Sequence, residues 1–239
     1  MNLLRGHGPL LRIGHRGAAA LAPPNTIAAI EAALEVGVDM VELDVLGRPD
    51  RTLILGHSHR ELEAEPLTFE DAIAFLAERS QDTGLIADIK FAGFERELVE
   101  ALRRHGLVER TVASTYHRST LLELGRLEPA LARSRTYARD RLHLGQRRTF
   151  LPIVGPALLA MRLALPFRIG RILGEADASA TTLHYKLASR AVVERCHALG
   201  AAVLAWTVDD RSLLRRLDEL GVDGVITNDP RIFRATLQA

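Results

Sequence analysis

Met40-Val41-Glu42-Leu43-Asp44-Val45 alternates apolar residues at 41, 43 and 45 with carboxylates at 42 and 44. In an extended strand successive side chains point to opposite faces, so Glu42 and Asp44 share one side while Val41, Leu43 and Val45 share the other. The apolar side marks a buried strand, and paired carboxylates on a buried strand are costly unless a cation meets them. Glu42 and Asp44 are therefore expected to be metal ligands.

Working outward, similar short apolar runs recur, each followed by a longer helical pattern, the mark of successive βα units around a parallel sheet. Strands are expected over Leu10–Gly14, Met40–Val45, Leu85–Ile89, Thr111–Tyr116, Ala132–Tyr137, Ala178–Leu183, Ala202–Thr207 and Gly224–Thr227, with a further extended segment over Thr52–His57. Helices are expected over Thr26–Val36, Phe69–Arg79, Glu95–His105, Ser119–Leu127, Arg190–Leu199 and Arg211–Leu220. Gly37, Gly106, Gly200 and Gly221 follow helical runs, where a residue free to take positive φ closes the helix. No Gly-x-Gly-x-x-Gly turn follows the first strand to mark a doubly wound dinucleotide fold. The expected architecture is α/β, a single TIM (β/α)₈ barrel over residues 1–239, with chemistry at the C-terminal ends of its strands.

The 31 Lys and Arg against 30 Asp and Glu leave no charge excess that argues for nucleic acid. Cys196 is the only cysteine, which excludes an internal disulfide and a cysteine-rich metal cluster within one chain. Residues 1–16 show no sustained apolar run of the signal-peptide kind, so a cytoplasmic location is expected.

The polar residues at strand ends carry the chemistry. His15-Arg16-Gly17 closes the first strand with a proton carrier, a planar guanidinium suited to phosphate oxygens and a flexible backbone. Asp88 and Lys90 repeat the two-residue spacing at the end of the third strand, adding a third carboxylate to the same mouth and an ammonium to neutralise a phosphoryl oxygen. Three carboxylates without Cys suit one hard divalent cation, Mg²⁺ or Ca²⁺. His57, directly after the extended segment, is expected to pair with His15 as acid and base, and His59 competes for that role.

In order along the chain, these motifs resemble those of the glycerophosphodiester phosphodiesterase family. His15-Arg16-Gly17 is similar to its opening His-Arg-Gly, and Pro23-Pro24-Asn25-Thr26 to its Pro-Glu-Asn-Thr. Glu42-Leu43-Asp44-Val45 resembles its metal strand, Gly56-His57 its second histidine, and Asp88-Ile89-Lys90 its Glu-x-Lys. Trp206-Thr207-Val208-Asp209 and Gly221–Pro230 resemble its two closing strand motifs. The resemblance implies a TIM barrel, a divalent cation and hydrolysis of a glycerophosphodiester to sn-glycerol 3-phosphate and an alcohol. It further implies His15 and His57 as acid and base, Glu42, Asp44 and Asp88 as ligands, Arg16 and Lys90 as phosphate holders and Trp206 as a wall of the glycerol pocket. Pro24 departs from the family's Glu, Ser58 from an Asp and Asp88 from a Glu, and the stretch from His57 to Phe69 lacks room for the family's small insertion.

Residues 138–175 exceed the usual βα connection, and 151–173 is apolar with Arg162, Arg168 and Arg171 interspersed. Pro152, Pro156 and Pro166 interrupt it, which speaks against a membrane span. Two readings stay open: an elongated fifth barrel helix, or an apolar, basic flap making a peripheral membrane contact. Three functions follow, namely the glycerophosphodiesterase, a phospholipase D-like enzyme cleaving a lysophospholipid or other lipid phosphodiester, and a silent barrel that binds a phosphorylated ligand.

Overall fold

A computed structural model of the chain describes residues 3–58, 66–137 and 151–235. Its strands are β1 (Leu11–His15), β2 (Met40–Gly47), β3 (Leu53–Leu55), β4 (Gly84–Ile89), β5 (Thr111–Thr115), β6 (Ala132–Tyr137), β7 (Ala180–His184), β8 (Ala202–Trp206) and β9 (Gly224–Thr227). Eight of them run parallel and close into a TIM barrel, because β1 pairs with both β2 and β9. The remaining one, β3, lies antiparallel on β2 and turns the chain back towards the ends of the barrel strands.

The helices are α1 (Ile27–Val36), α2 (Phe69–Arg79), α3 (Glu95–Arg104), α4 (Arg118–Leu127), α5 (Leu151–Ala176), α6 (Arg190–His197) and α7 (Arg211–Leu220). A 3₁₀ segment, Pro230–Ala235, follows β9 in place of a last α-helix. Local chemistry sets their ends. Thr26, Thr68, Ser189 and Asp210 each accept a backbone N–H in the first turn of the helix that follows, and left-handed Gly37 and Gly221 close α1 and α7.

Several expected strand edges move by one or two residues. β1 extends to His15, because His15 stays in register with Glu42 on β2. β7 starts at Ala180 rather than Ala178, because the Ala178 N–H bonds the Leu173 carbonyl at 3.1 Å and so belongs to the end of α5. Residues 151–176 form one helix, while 138–150, the first part of the long connection, lie outside the described residues.

The strand period of two divides the core. Val41, Leu43 and Val45 pack outward with Ile30, Ile73 and Leu76 of the helical layer. Ile13, Met40, Ile86, Val112, Leu204 and Ile226 fill the barrel interior. On the same six strands the next inward positions, two residues on, are His15, Glu42, Asp88, Ser114, Trp206 and Asn228. The apolar interior is thus a floor on which the polar mouth stands. On the β5–β7 side buried hydroxyls satisfy one another, Ser114 with Thr136 at 2.8 Å and Ser134 with Thr182 at 2.6 Å.

Candidate active site

The loop after β1 is tied to the acids of β2. The Arg16 N–H donates to Glu42 Oε2 at 2.9 Å and the Gly17 N–H to the Glu42 carbonyl at 3.2 Å. Gly17 is required: its φ is +86°, and a Cβ there would lie 2.5 Å from the backbone of Ala29 in α1. Gly17→Ala is expected to destabilise the fold by about 1–3 kcal/mol, the usual cost of left-handed strain, and to lower Tm by roughly 2–10 °C. A thermal melt indistinguishable from wild type would contradict this account of the turn.

Asn25, with φ +59°, is buried and clamps Asp44 twice. Its Nδ2 donates to Asp44 Oδ2 and its Oδ1 accepts the Asp44 N–H, both at 3.1 Å. The acid therefore meets the mouth in a set orientation. Arg16 Nε lies 2.8 Å and His57 Nδ1 3.4 Å from the same Oδ2. The Arg16 contact is an ion pair of poor hydrogen-bond angle, since Nε has no well-aligned acceptor. β3 brings His57 there by returning along β2, with the Gly56 N–H donating to the Asp44 carbonyl at 3.0 Å.

Lys90 Nζ closes on the carboxylates of both Asp44 and Asp88, and those two acids are direct partners in the β2–β4 register. Ligand oxygens of Glu42, Asp44 and Asp88 all lie within 4.8 Å of one another. Burial, and then the charges of Asp44 and Asp88, push the Glu42 carboxyl up to about 8. Burial also opposes ionisation of Asp44, yet Lys90, His57 and Arg16 hold it well below the ordinary carboxylate range. Burial likewise works against the Lys90 ammonium, and Asp88, Asp44 and Glu42 outweigh it and raise its pKa. Three hard oxygen donors, one of them favoured in its protonated form by burial and by the neighbouring acids, fit a divalent cation.

His15 meets the same acidic cluster from the end of β1. Its Nδ1 lies 2.6 Å from Asn228 Oδ1, and its Nε2 is 3.8 Å from Glu42 Oε2. The Asn228 amide is oriented by Asp209, which accepts its Nδ2–H at 2.7 Å and its backbone N–H at 2.8 Å. An amide oxygen can only accept, so Nδ1 carries a proton, and in the neutral imidazole Nε2 then holds the lone pair. Burial, aided by the Arg16 charge, lowers the His15 pKa and favours this neutral form.

The opposite wall is aromatic. Trp206, at the end of β8, meets the His184 ring edge-on at 5.4 Å, and His184 stacks on Tyr185. Trp206 Nε1 is buried without a partner among the described residues. The structure thus brings His15, Arg16, Glu42, Asp44, His57, Asp88 and Lys90 together and sets Trp206 on another strand end of the same barrel, whereas His59 lies outside the described residues. Asn25, Asp209 and Asn228 had no role read from sequence, although each lies within a stretch that resembles a family motif.

The class this fold and mouth represent is the phosphoric diester hydrolases built on a TIM barrel. The sequence profile of the Glycerophosphoryl diester phosphodiesterase family matches residues 15–65 and 68–232, and the chain belongs to that family. It is 26% identical over 256 aligned positions to a glycerophosphodiester phosphodiesterase of Caldanaerobacter subterraneus, with 92% of this chain and 94% of that one covered. Its fold is similar to that of a glycerophosphodiester phosphodiesterase from Parabacteroides distasonis, with TM-score 0.74, 22% identity and 95% of each chain covered. A phosphodiesterase from Oleispira antarctica, solved with the product sn-glycerol-3-phosphate, superposes with TM-score 0.72 at 22% identity over 97% of each chain.

Proposed function

We propose that the chain hydrolyses a glycerophosphodiester to sn-glycerol 3-phosphate and an alcohol, using one divalent cation, Mg²⁺ or Ca²⁺, held by Glu42, Asp44 and Asp88. The observation that carries this reading is the convergence of those three acids between His15 and His57, with Lys90 and Arg16 against them. When bound, the cation supplies Lewis-acid polarisation of a phosphoryl oxygen. Arg16 and Lys90 bind the non-bridging oxygens, and Trp206 lines the glycerol side.

His15 Nε2, in the neutral imidazole, takes the proton of the substrate's neighbouring hydroxyl as that oxygen bonds to phosphorus. His57 gives a proton to the departing alcohol oxygen as its bond to phosphorus breaks. Water then opens the cyclic phosphate, with His57 taking the water proton and His15 returning its own to the glycerol oxygen. Both imidazoles end as they began.

The test is incubation of the purified protein with glycerophosphocholine and either cation, following sn-glycerol 3-phosphate by phosphorus NMR. Accumulation of that product is expected, and its absence with both cations refutes the reading. A lysophospholipid substrate is the second reading, favoured by the exposed apolar residues of α5. Faster turnover of lysophosphatidylcholine than of glycerophosphocholine selects it.

A further inference from the structure

Helix α5 is too long for the barrel it belongs to. Its 26 residues extend about 39 Å, whereas the six residues of β6 span roughly 20 Å. Leu165, Ile169 and Leu173 pack the second half against the barrel wall, and Ala176, buried too, continues the spacing of one helix face. The helix ends beside the start of β7, so the excess length lies at its N-terminal end, beyond the strand ends that carry the acids. There Leu158 and Met161 rest on the same cluster as Tyr185, which follows β7 at the mouth.

The outer face of the helix is unpartnered, from the overhang into the half that lies on the wall. Leu159, Leu163 and Phe167 recur at every fourth position and are 58%, 65% and 91% exposed. Leu122 and Leu199 are the other large exposed apolar side chains of the described residues, and Leu199 lies beside Gly170 of α5. Arg162, Arg168 and Arg171 are the charged residues of the helix before its single acid, Glu175. Among the described residues no helix is long and apolar enough to cross a membrane, and Pro156 and Pro166 interrupt this one.

We propose that α5 docks the protein on an anionic lipid bilayer, with Leu159, Leu163 and Phe167 entering the acyl boundary and Arg168 and Arg171 meeting lipid phosphates. A bilayer suits the stripe better than a second copy of the chain. Three side chains fall far short of the roughly 800 Å² per partner that a stable dimer buries, and the arginines beside them would face their own copies across a two-fold axis. The overhang places the barrel mouth next to the headgroup layer, where a lipid phosphodiester presents its phosphate. That last consequence rests on the proposed function, whereas docking itself does not.

The experiment is co-sedimentation of the full chain with vesicles of phosphatidylcholine mixed with an equal part of phosphatidylglycerol, alongside pure phosphatidylcholine vesicles. Wild type is expected to sediment with the anionic vesicles at low salt and to be released at high salt. The L159S/L163S/F167S variant should partition on the order of 100-fold more weakly, with unchanged circular dichroism and unchanged turnover of soluble glycerophosphocholine. Arg168→Gln with Arg171→Gln should abolish the preference for phosphatidylglycerol. Failure of wild type to bind at low salt, equal partition of the triple variant, or a wild-type dimer in light scattering that the triple variant abolishes would each overturn the proposal. Vesicle binding without any diester hydrolysis would leave it standing and remove only the proposed chemistry.

Discussion

His15→Ala and His57→Ala are each expected to lower kcat by about 10²–10⁴-fold, the usual contribution of a positioned proton carrier. The two losses have different structural sources. His15 is held by Asn228 and Asp209 with its lone pair on Nε2, so Asn228→Ala should also slow turnover, by less than loss of the imidazole itself. His57 is half-exposed on the chain returning from β3 and is tied to Asp44 through Nδ1. Steady-state rates on proteins matched by circular dichroism check both. A crippled His59→Ala beside an active His57→Ala would assign the acid to the wrong imidazole.

Glu42→Gln is expected to weaken cation binding by more than the roughly 10–100-fold that loss of an outer-shell partner costs, and to lower activity in step. It should also remove a proton linkage. In the cation-free protein the Glu42 carboxyl lies at about 8 against an ordinary 4.5, so between these values the folded chain holds more protons than the unfolded one. Its contribution to stability is therefore present at low pH and is lost as pH rises from about 4.5 to about 8. A bound cation requires the carboxylate and reverses this trend. Calorimetry at pH 7 in buffers of different ionisation enthalpy should find about one proton released per cation bound by wild type and none by Glu42→Gln. Thermal melts in chelator should fall with pH across that window, and in excess cation they should not. Wild-type affinity and turnover in Glu42→Gln would remove Glu42 from the ligand set.

The acids were legible because their signal is local. Glu42 and Asp44, and then Asp88, stand at the inward phase of strands whose outward phase is apolar, and a period of two is read within six residues. His15-Arg16-Gly17 was legible as a strand end, and the backbone need for Gly17 appears only when α1 is seen packed against it. The supporting residues were not legible in their roles. Asn25 reaches Asp44 across 19 residues and Asn228 reaches His15 across 213, and no periodicity spans such distances.

By itself the sequence determined the alternation of strand and helix, the helix stops and the face of each strand on which an acid stands, because all of these follow from backbone periodicity and local sterics. Only tertiary structure decided which distant groups complete the site. Ring closure places β9 beside β1 and so delivers Asn228 to His15, and antiparallel return along β2 delivers His57 to Asp44. The same holds for α5, whose apolarity was plain in the chain. Which of its leucines are buried and which face outward depends on the barrel wall lying along only half of its length, and no local pattern encodes where that wall ends.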